Sequence, residues 1–343
     1  MLPADLPCDL PAFMARFGTD GACRQHLFRV RWPEGFRCVK CEGTHCYPHT
    51  TRNIYECSAC GKQHSLLAGT IFEQTKKGLS QWFLAIFFVT TSKRGLSAAE
   101  LGRLMGFKSD QTAWSWLHKI RRAMVAPGRE PLSGAVEADE TFIGGPRPGK
   151  RGRGAAGKTL VACAVETRIV VTPPPVTNEL LRGIARRKAA VLANRAGAIV
   201  RRCLGRVRLA VVPDAGGETL EAFMASAVAP PASVETDGHK GYLGLTDQGY
   251  RHEPINISKS AGKAHEYLPA VHLVFALVKR WLLGTYHGGV SPKHLQAYLD
   301  EYTFRFNRRT AKSPCHGLWK LLEIAVVTDP CPYWRLIGRT GPS

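Results

Sequence analysis

The chain has 343 residues, of which 44% are hydrophobic and 22% charged, so it can bury a substantial core and divide into two or three domains. Its 47 Lys and Arg against 27 Asp and Glu give a formal charge of +20, which favours a polyanionic partner, nucleic acid first and anionic membrane second. It lacks an apolar run long enough to span a membrane, and the acidic start "MLPADLPCDLPAFMARF" is unlike a signal peptide, so we expect a cytoplasmic, nucleoid-associated protein without a membrane partner.

Residues 1–70 combine a helical lead-in, "LPAFMARFGTDGACRQHLFRVRW", with a cysteine motif. The motif has the spacing Cys-x2-Cys-x15-Cys-x2-Cys and consists of Cys38, Cys41, Cys57 and Cys60. Each pair can reach one side of a tetrahedral Zn²⁺ while the intervening hairpin closes the loop. Because four thiolates leave no open coordination position, we predict a zinc ribbon in which the metal is structural.

Residues 71–128 contain three apolar runs at helical spacing, "LSQWFLAIFFVTT", "LSAAELGRLMGF" and "KSDQTAWSWLHKIRRAM". Gly95 and Gly106 separate the runs, and Ser97 with Glu100 predicts a helix start. A short helix, a glycine turn and a longer helix are typical of a helix-turn-helix, although an ordinary helical hairpin has the same pattern.

In the helix-turn-helix interpretation, the third run is the recognition helix. Trp114, Leu117 and Ile120 are expected on its core face. The predicted DNA-binding residues are Lys108, Ser109, Gln111, Thr112, Lys119, Arg121 and Arg122.

Residues 132–312 have the pattern of an α/β domain with a mixed sheet. The predicted strands are "GAVEADETFIGG", "KTLVACAVE", "RVRLAVVP" and "ASVETD", and the predicted helices are "AGGETLEAFMASAV" and "KAHEYLPAVHLVFALVKRWLLG". A basic loop, "GGPRPGKRGRGAAGK", is expected to touch the DNA backbone. A basic insertion at about 167–204 is either a DNA-contacting helical arm, a tolerated insertion or a scar in a decaying copy. Residues 313–343 are expected to form a C-terminal tail.

Two aspartates in this domain are candidates for catalysis. Asp139 shares one face of an apolar strand with Glu137, and Asp237 closes another strand immediately before a glycine. Paired carboxylates in a strongly basic protein suggest a divalent-metal site for phosphodiester chemistry. An aspartate in front of a glycine is also a common turn residue, so this alternative stays open.

The order of these elements resembles the DDE-type insertion-sequence transposases that carry an N-terminal zinc ribbon. The resemblance runs over nearly the whole chain and rests on "RWPEGFRCVKC", "CSACGKQHSLLAGTIF", "PLSGAVEADETFIGG", "RLAVVPDA", "VETDGHKGY" and "LLGTYHGGVSPKHLQAYLDEYTFRFNRR". It implies a multidomain protein with a ribonuclease-H-like catalytic domain that binds two Mg²⁺, or Mn²⁺, through three positions. Asp139 matches the first position, on the first strand, and Asp237 matches the second, on the fourth strand.

The third position departs from the family pattern. The family reads roughly His-x-Val-x-Ser-Asn-Leu-Lys there, whereas this chain reads "HLVFALVK", with Leu277 in place of the asparagine that completes the metal site. His272 and Lys279 match the family, and these two, together with Glu301, are accessory candidates. Leucine cannot ligate a metal.

The resemblance implies a transposase that binds double-stranded DNA at terminal inverted repeats and at the target, and that catalyses metal-dependent strand cleavage and strand transfer. Because two element ends must be brought together, we expect a homo-oligomer on DNA. Two alternatives remain at this point. One is a relic that binds terminal repeats without chemistry, and the other is a zinc-ribbon transcription or RNA-binding factor with an unrelated α/β domain.

Overall fold

The computed structural model describes residues 7, 9–49, 52–144, 158–172, 199–255, 264–311, 313 and 315–339. The predicted contacts of the basic loop at 145–157 and of the centre of the insertion, 173–198, lie outside the described residues. The chain divides into two compact units. The ribbon–helix unit comprises Met1–Arg129, Trp281–Gly289 and His294–Ser343, and the sheet unit comprises Glu130–Arg280 and Val290–Lys293.

The ribbon–helix unit begins with the predicted helical lead-in, which forms two helices. In chain order its first elements are α1 (Leu10–Phe17), α2 (Asp20–Arg31), β1 (Cys46–His49), β2 (Ile54–Cys57), β3 (Gln63–Ser65), α3 (Leu79–Thr91), α4 (Ala98–Met105) and α5 (Asp110–Arg122). The side chains of Asp9 and Thr19 accept backbone N–H groups at the starts of α1 and α2. Strands β1, β2 and β3 form an antiparallel sheet in that order.

Helix α3 lies at the centre of the apolar core of this unit. Its Trp82 is buried and stacks on Trp116 of α5, with the ring centroids 3.7 Å apart. The core face of α5 also includes Ala113, Leu117 and Ile120, as helical spacing requires. Trp114 was expected on this face, but it is only half-buried and packs beside His118.

The sheet unit contains the five strands and three of the helices that follow. They are β4 (Ala135–Ile143), β5 (Thr159–Thr172), β6 (Ile199–Val211), α6 (Gly217–Ala227), β7 (Ser233–Thr236), β8 (Arg251–Pro254), α7 (Ala264–Tyr267) and α8 (Pro269–Tyr286), of which α8 ends in the other unit. The sheet order is β6-β5-β4-β7-β8. Strand β4 pairs antiparallel with β5 and parallel with β7, so the predicted mixed sheet is confirmed.

The flanks of the insertion at 167–204 continue the hairpin of the second and third strands. Strands β5 and β6 remain paired as far as Thr172 and Ile199. The described ends of the insertion are therefore strand, whereas the sequence pattern suggested helix nearby.

One face of the sheet packs on α6. Val136 and Ala138 of β4 are buried there with Leu220 and Met224 of α6. Glu137 and Asp139 consequently project from the opposite face, as the alternation along a strand predicts.

The C-terminal segment completes the ribbon–helix unit. It contains α9 (Leu295–Phe306), α10 (Cys315–Ala325) and α11 (Tyr333–Leu336). Leu318, Leu321 and Leu322 of α10 are buried in the core around α3. The expectation of a C-terminal tail after residue 312 was therefore wrong, because an apolar helical stripe in this segment is part of that core. None of the helices within the described ranges combines the length and apolar character needed to cross a membrane.

Candidate functional site

The four predicted cysteines converge in the ribbon. All their Sγ atoms lie within 4.8 Å of one another, with Cys38 and Cys60 3.6 Å apart and Cys41 and Cys57 3.5 Å apart. Four sulfurs around a tetrahedral Zn²⁺ at about 2.3 Å would lie roughly 3.8 Å apart. The spacing therefore fits a structural zinc ion.

Neighbouring groups favour the charged form of the Cys38 thiol but not that of Cys41. The backbone N–H of Gly43 lowers the pKa of Cys41, but the Cys60 and Cys57 sulfurs raise it to about 12. Desolvation alone would raise the pKa of Cys38. Hydrogen bonds with the backbone N–H groups of Lys40 and Cys41 and with the imidazole of His64 lower this pKa to about 5. A side chain at Gly43 would place its Cβ only 3.2 Å from the Cys57 sulfur, a tight contact that favours glycine there. Cys46 lies between Cys41 and Cys57 in the sequence and is paired in register with Cys57, but it is not part of the four-sulfur cluster.

One candidate aspartate, Asp139, lies on β4, and the other, Asp237, directly follows the neighbouring parallel strand β7. The register of β4 and β7 sets Glu137 opposite Glu235. Asp139 follows Glu137 by two residues along β4, and Asp237 follows Glu235 by two residues, just beyond the end of β7. Gly238 then turns the chain with a φ of +75°, a conformation that favours glycine.

A buried tyrosine senses the charges of both aspartates. The Tyr242 hydroxyl donates a hydrogen bond to Oε2 of Glu140 at 3.2 Å. Burial, followed by the charges of Glu140, Asp139 and Asp237, raises the pKa of Tyr242 well above its usual value. Both aspartates therefore act electrostatically on the same phenol. Asp139 is 8% exposed, and its Oδ1 accepts the backbone N–H of Glu140 at 2.7 Å.

Glu137, which sequence reasoning did not select, holds the helix that faces Asp139. Its Oε2 accepts the backbone N–H groups of Ala270 and Val271, at 2.7 and 3.0 Å, in the first turn of α8. Glu137 is fully buried, and a carboxylate at a helix N-terminus is favoured by the helix dipole. An acid in the middle of an apolar strand was the available sequence signal.

Two of the accessory candidates on α8 come close to β4. Nε2 of His272 lies 3.6 Å from Oδ2 of Asp139. The ammonium of Lys279 donates to Oγ1 of Thr141 at 2.8 Å. Burial, followed by the charge of Lys158, lowers the pKa of Lys279, and the charge of Asp139 partly offsets this decrease. Leu277 is half-buried on the same helix. Within the described residues, only the four cysteines bring three or more potential metal ligands together.

The predicted DNA-binding residues of α5 divide by exposure. The exposed ones are Lys108, Ser109, Gln111 and Arg122, and the partly exposed ones are Thr112 and Lys119. Ser109 is at the N-cap position, but its side chain makes no capping hydrogen bond.

Arg121 does not belong with this set. It is 2% exposed, and its Nε donates to Oε2 of Glu301, itself 1% exposed, at 2.8 Å. Arg121 as a DNA contact and Glu301 as an accessory metal ligand are therefore both corrected, because the two side chains neutralise each other in the core of the ribbon–helix unit.

Comparison with known protein families gives one match for the α/β segment and one for the zinc-ribbon segment. Residues 131–307 match the ISXO2-like transposase domain, and residues 18–63 match the transposase zinc-ribbon domain. Since the first match covers more than half of the chain, the protein belongs to the ISXO2-like transposase family.

Two curated relatives carry consistent names. One is an uncharacterized protein in transposable element ISH50 of Halobacterium salinarum, 29% identical over 133 residues, which are 37% of this chain and 42% of that protein. The other is an uncharacterized transposase-like protein of Haemophilus influenzae, 29% identical over 122 residues, which are 36% of this chain and 98% of that protein. The alignment thus spans less than half of the first relative.

Proposed function

We propose that this protein is the DNA transposase of an insertion sequence, which cleaves the element's ends and joins them to target DNA. The observation that carries the proposal is the parallel pairing of β4, which holds Asp139, with β7, which Asp237 directly follows, in a chain of the ISXO2-like transposase family. The sheet supports a ribonuclease-H-like interpretation, because its first strand, β4, and its fourth, β7, are neighbours.

The aspartate pair suits Mg²⁺ or Mn²⁺. Magnesium is commonly held by one or two carboxylates, with water and substrate phosphate oxygens as the remaining ligands. Asp139 and Asp237 would supply those carboxylates. A divalent ion bound there supplies activation of the attacking oxygen and neutralisation of charge on the scissile phosphate.

The chain's own side chains would prepare this site for a phosphodiester. Lys279, held beside β4 by Thr141, offers a positive charge near Asp139. His272 borders the same carboxylate, with its Nε2 3.6 Å from Oδ2 of Asp139. Glu137 fixes the first turn of α8, from which His272 and Lys279 project. No covalent enzyme intermediate is needed, since water and then the freed 3′-hydroxyl serve as nucleophiles.

DNA recognition is assigned to the zinc ribbon and to α4 and α5 as a helix-turn-helix. Gly106 ends α4 in a left-handed conformation, and a short turn leads to α5. The exposed Lys108, Ser109 and Gln111 at the start of α5 are available for base edges and phosphates. A homo-oligomer would hold the two terminal inverted repeats together.

Leu277 favours a second candidate, a catalytically disabled transposase that still binds terminal repeats. It occupies the position at which the family resemblance implies a metal-binding asparagine. The further alternative, an α/β domain unrelated to transposases, conflicts with the family match at residues 131–307.

The test is cleavage of a labelled terminal-repeat duplex with Mg²⁺ or Mn²⁺ by the natural protein and by Leu277→Asn. Cleavage by the natural protein supports an active transposase in which two aspartates suffice. Cleavage by Leu277→Asn alone supports the disabled copy. If both proteins bind the repeats and neither cleaves, the catalytic proposal is wrong.

A further inference from the structure

A cavity of about 530 Å³ in the ribbon–helix unit is strongly basic. It lies between the end of α3, with Lys93 just beyond it, and the end of α9, where Arg305, Arg308 and Arg309 follow in close succession. Its described lining includes no aspartate or glutamate, and Trp281 contributes an aromatic wall. Four cations around one opening, without an acid among them, set this cavity apart from the buried Arg121 site.

Two of the cations have unused hydrogen-bonding capacity. Within the described ranges, Arg308 donates only from Nη1, to the carbonyl oxygen of Phe304 at 3.0 Å, and neither Arg308 nor Lys93 pairs with a carboxylate. Lys93 is exposed. A guanidinium carries five N–H donors, so Nε and Nη2 of Arg308 remain available for an anion.

The local structure fixes the arginines in place. The guanidinium of Arg308 lies 3.7 Å from the ring centroid of Phe304, and that of Arg309 lies 3.9 Å from the ring centroid of Phe306. Arg305 donates to the carbonyl oxygens of Val89 and Ser92, which joins the end of α9 to the end of α3. Stacked, restrained guanidinium groups lose little freedom when they bind an oxyanion.

Burial of this positive charge is costly without an anion. Desolvation lowers the pKa of Arg308 to about 10. A carboxylate such as that of Glu301, which stabilises the charge of Arg121, has no counterpart in the described lining of this cavity. An anion with several oxygens would satisfy the free donors of Arg308 together with the Lys93 ammonium.

We propose that this cavity binds a backbone phosphate of DNA, as a contact separate from α5 and from the aspartate pair. The proposal rests on the proposed function, since membership in a transposase family favours DNA over other phosphate-bearing molecules. The aromatic wall suits a deoxyribose next to the phosphate. Because phosphates carry no base identity, the contact strengthens binding equally on terminal repeats and on unrelated sequence.

The test measures duplex DNA affinity against salt concentration for the full-length protein and for Arg308→Gln and Lys93→Gln. Each lost phosphate contact makes the slope of log K against log salt shallower by about 0.9. We expect that change for both variants on a terminal-repeat duplex and on a random duplex. Lys320→Gln is the matched control, because the Lys320 ammonium in the same unit is already paired with Glu323 at 2.8 Å.

Folding is checked by thermal melting, and if Arg308→Gln does not fold, the exposed Lys93→Gln decides the result alone. Unchanged slopes with normal DNA binding by the natural protein would overturn the cavity assignment and leave the transposase proposal intact. Failure of the natural protein to bind DNA at all would overturn both. A Lys320→Gln effect as large as that of Lys93→Gln would also count against a specific phosphate site.

Discussion

Arg121 and Glu301, 180 positions apart in sequence, form a fully buried ion pair with 2.8 Å between Nε and Oε2. The Tyr286 hydroxyl accepts from Nη2 of Arg121 and donates to Oε2 of Glu301, both at 3.2 Å. The Arg121 guanidinium also lies 4.1 Å from the ring centroid of Tyr298. This network joins α5, the proposed recognition helix, to α9 within the ribbon–helix unit.

Removal of one partner of this pair leaves the other charge buried and unpaired. We expect Glu301→Gln to lower the free energy of unfolding by about 3–5 kcal/mol, measured by urea denaturation. Arg122→Ala, which removes an exposed arginine next to the pair, should change it by about 0.5 kcal/mol or less. Equal effects of the two substitutions would show that the ion pair does not stabilise the core.

The zinc assignment predicts about one Zn²⁺ per chain in the purified protein. Cys41→Ser should lose the metal, because three thiolates no longer complete the tetrahedral site. Cys46→Ser is the matched control, since this cysteine is close to the cluster but outside it. Metal analysis in which Cys46→Ser lost zinc and Cys41→Ser kept it would contradict the assignment.

Two buried histidines predict acid sensitivity of the ribbon–helix unit. Burial, assisted by the charge of Arg121, lowers the pKa of His118 to about 3, and burial with Arg16 lowers that of His26 to about 4. The unfolded chain takes up these protons near pH 6.5, while the folded chain resists them. The contribution of these two neutral histidines to the free energy of unfolding is therefore fully present above about pH 6.5 and is lost as the pH falls towards 3 to 4.

His118→Gln removes one of the two side chains that take up a proton when the chain unfolds. Between about pH 6 and pH 4, its free energy of unfolding should depend less steeply on pH than that of the natural protein, by about 1.4 kcal/mol per pH unit. Urea titrations at a series of pH values measure the difference. Parallel pH profiles of the two proteins would refute the buried neutral histidine.

The two hydrogen bonds that Glu137 accepts from α8 predict that its loss destabilises the sheet unit. Glu137→Ala leaves the N–H groups of Ala270 and Val271 without their buried acceptor, and should cost about 2 kcal/mol of unfolding free energy. Glu130→Ala is the control, because the Glu130 carboxylate is exposed and its pair with Arg206 is a surface interaction worth about 0–1 kcal/mol. A loss no larger than that of Glu130→Ala would mean that α8 does not depend on this carboxylate.

Local patterns were sufficient for most elements. The apolar period predicted α3 over Leu79–Thr91, and cysteine spacing predicted the ribbon. Strand β8 was missed because its residues, Arg251–Pro254, form a short, polar strand at the edge of the sheet, without the apolar alternation of a buried strand.

Long-range partners could not be predicted from the sequence. Arg121 falls on the same helical stripe as Leu117, so its burial had a local signal, but its partner Glu301 belongs to a distant helix. The two aspartates were each visible at a strand, while the parallel pairing of those strands, β4 and β7, is not specified by sequence spacing. Glu137 was noted only as a neighbour of Asp139, since its role depends on the first turn of α8.

The most direct test of the central claim is metal-dependent cleavage of a terminal-repeat duplex by Asp139→Asn and Asp237→Asn, made in whichever of the natural protein and Leu277→Asn cleaves faster. Asp247→Asn, an exposed aspartate of the same unit, is the control. If the two aspartates act as one site, each substitution lowers cleavage at least about 100-fold, the double variant is little worse, and DNA binding persists. Full cleavage by either Asp139→Asn or Asp237→Asn would contradict the account.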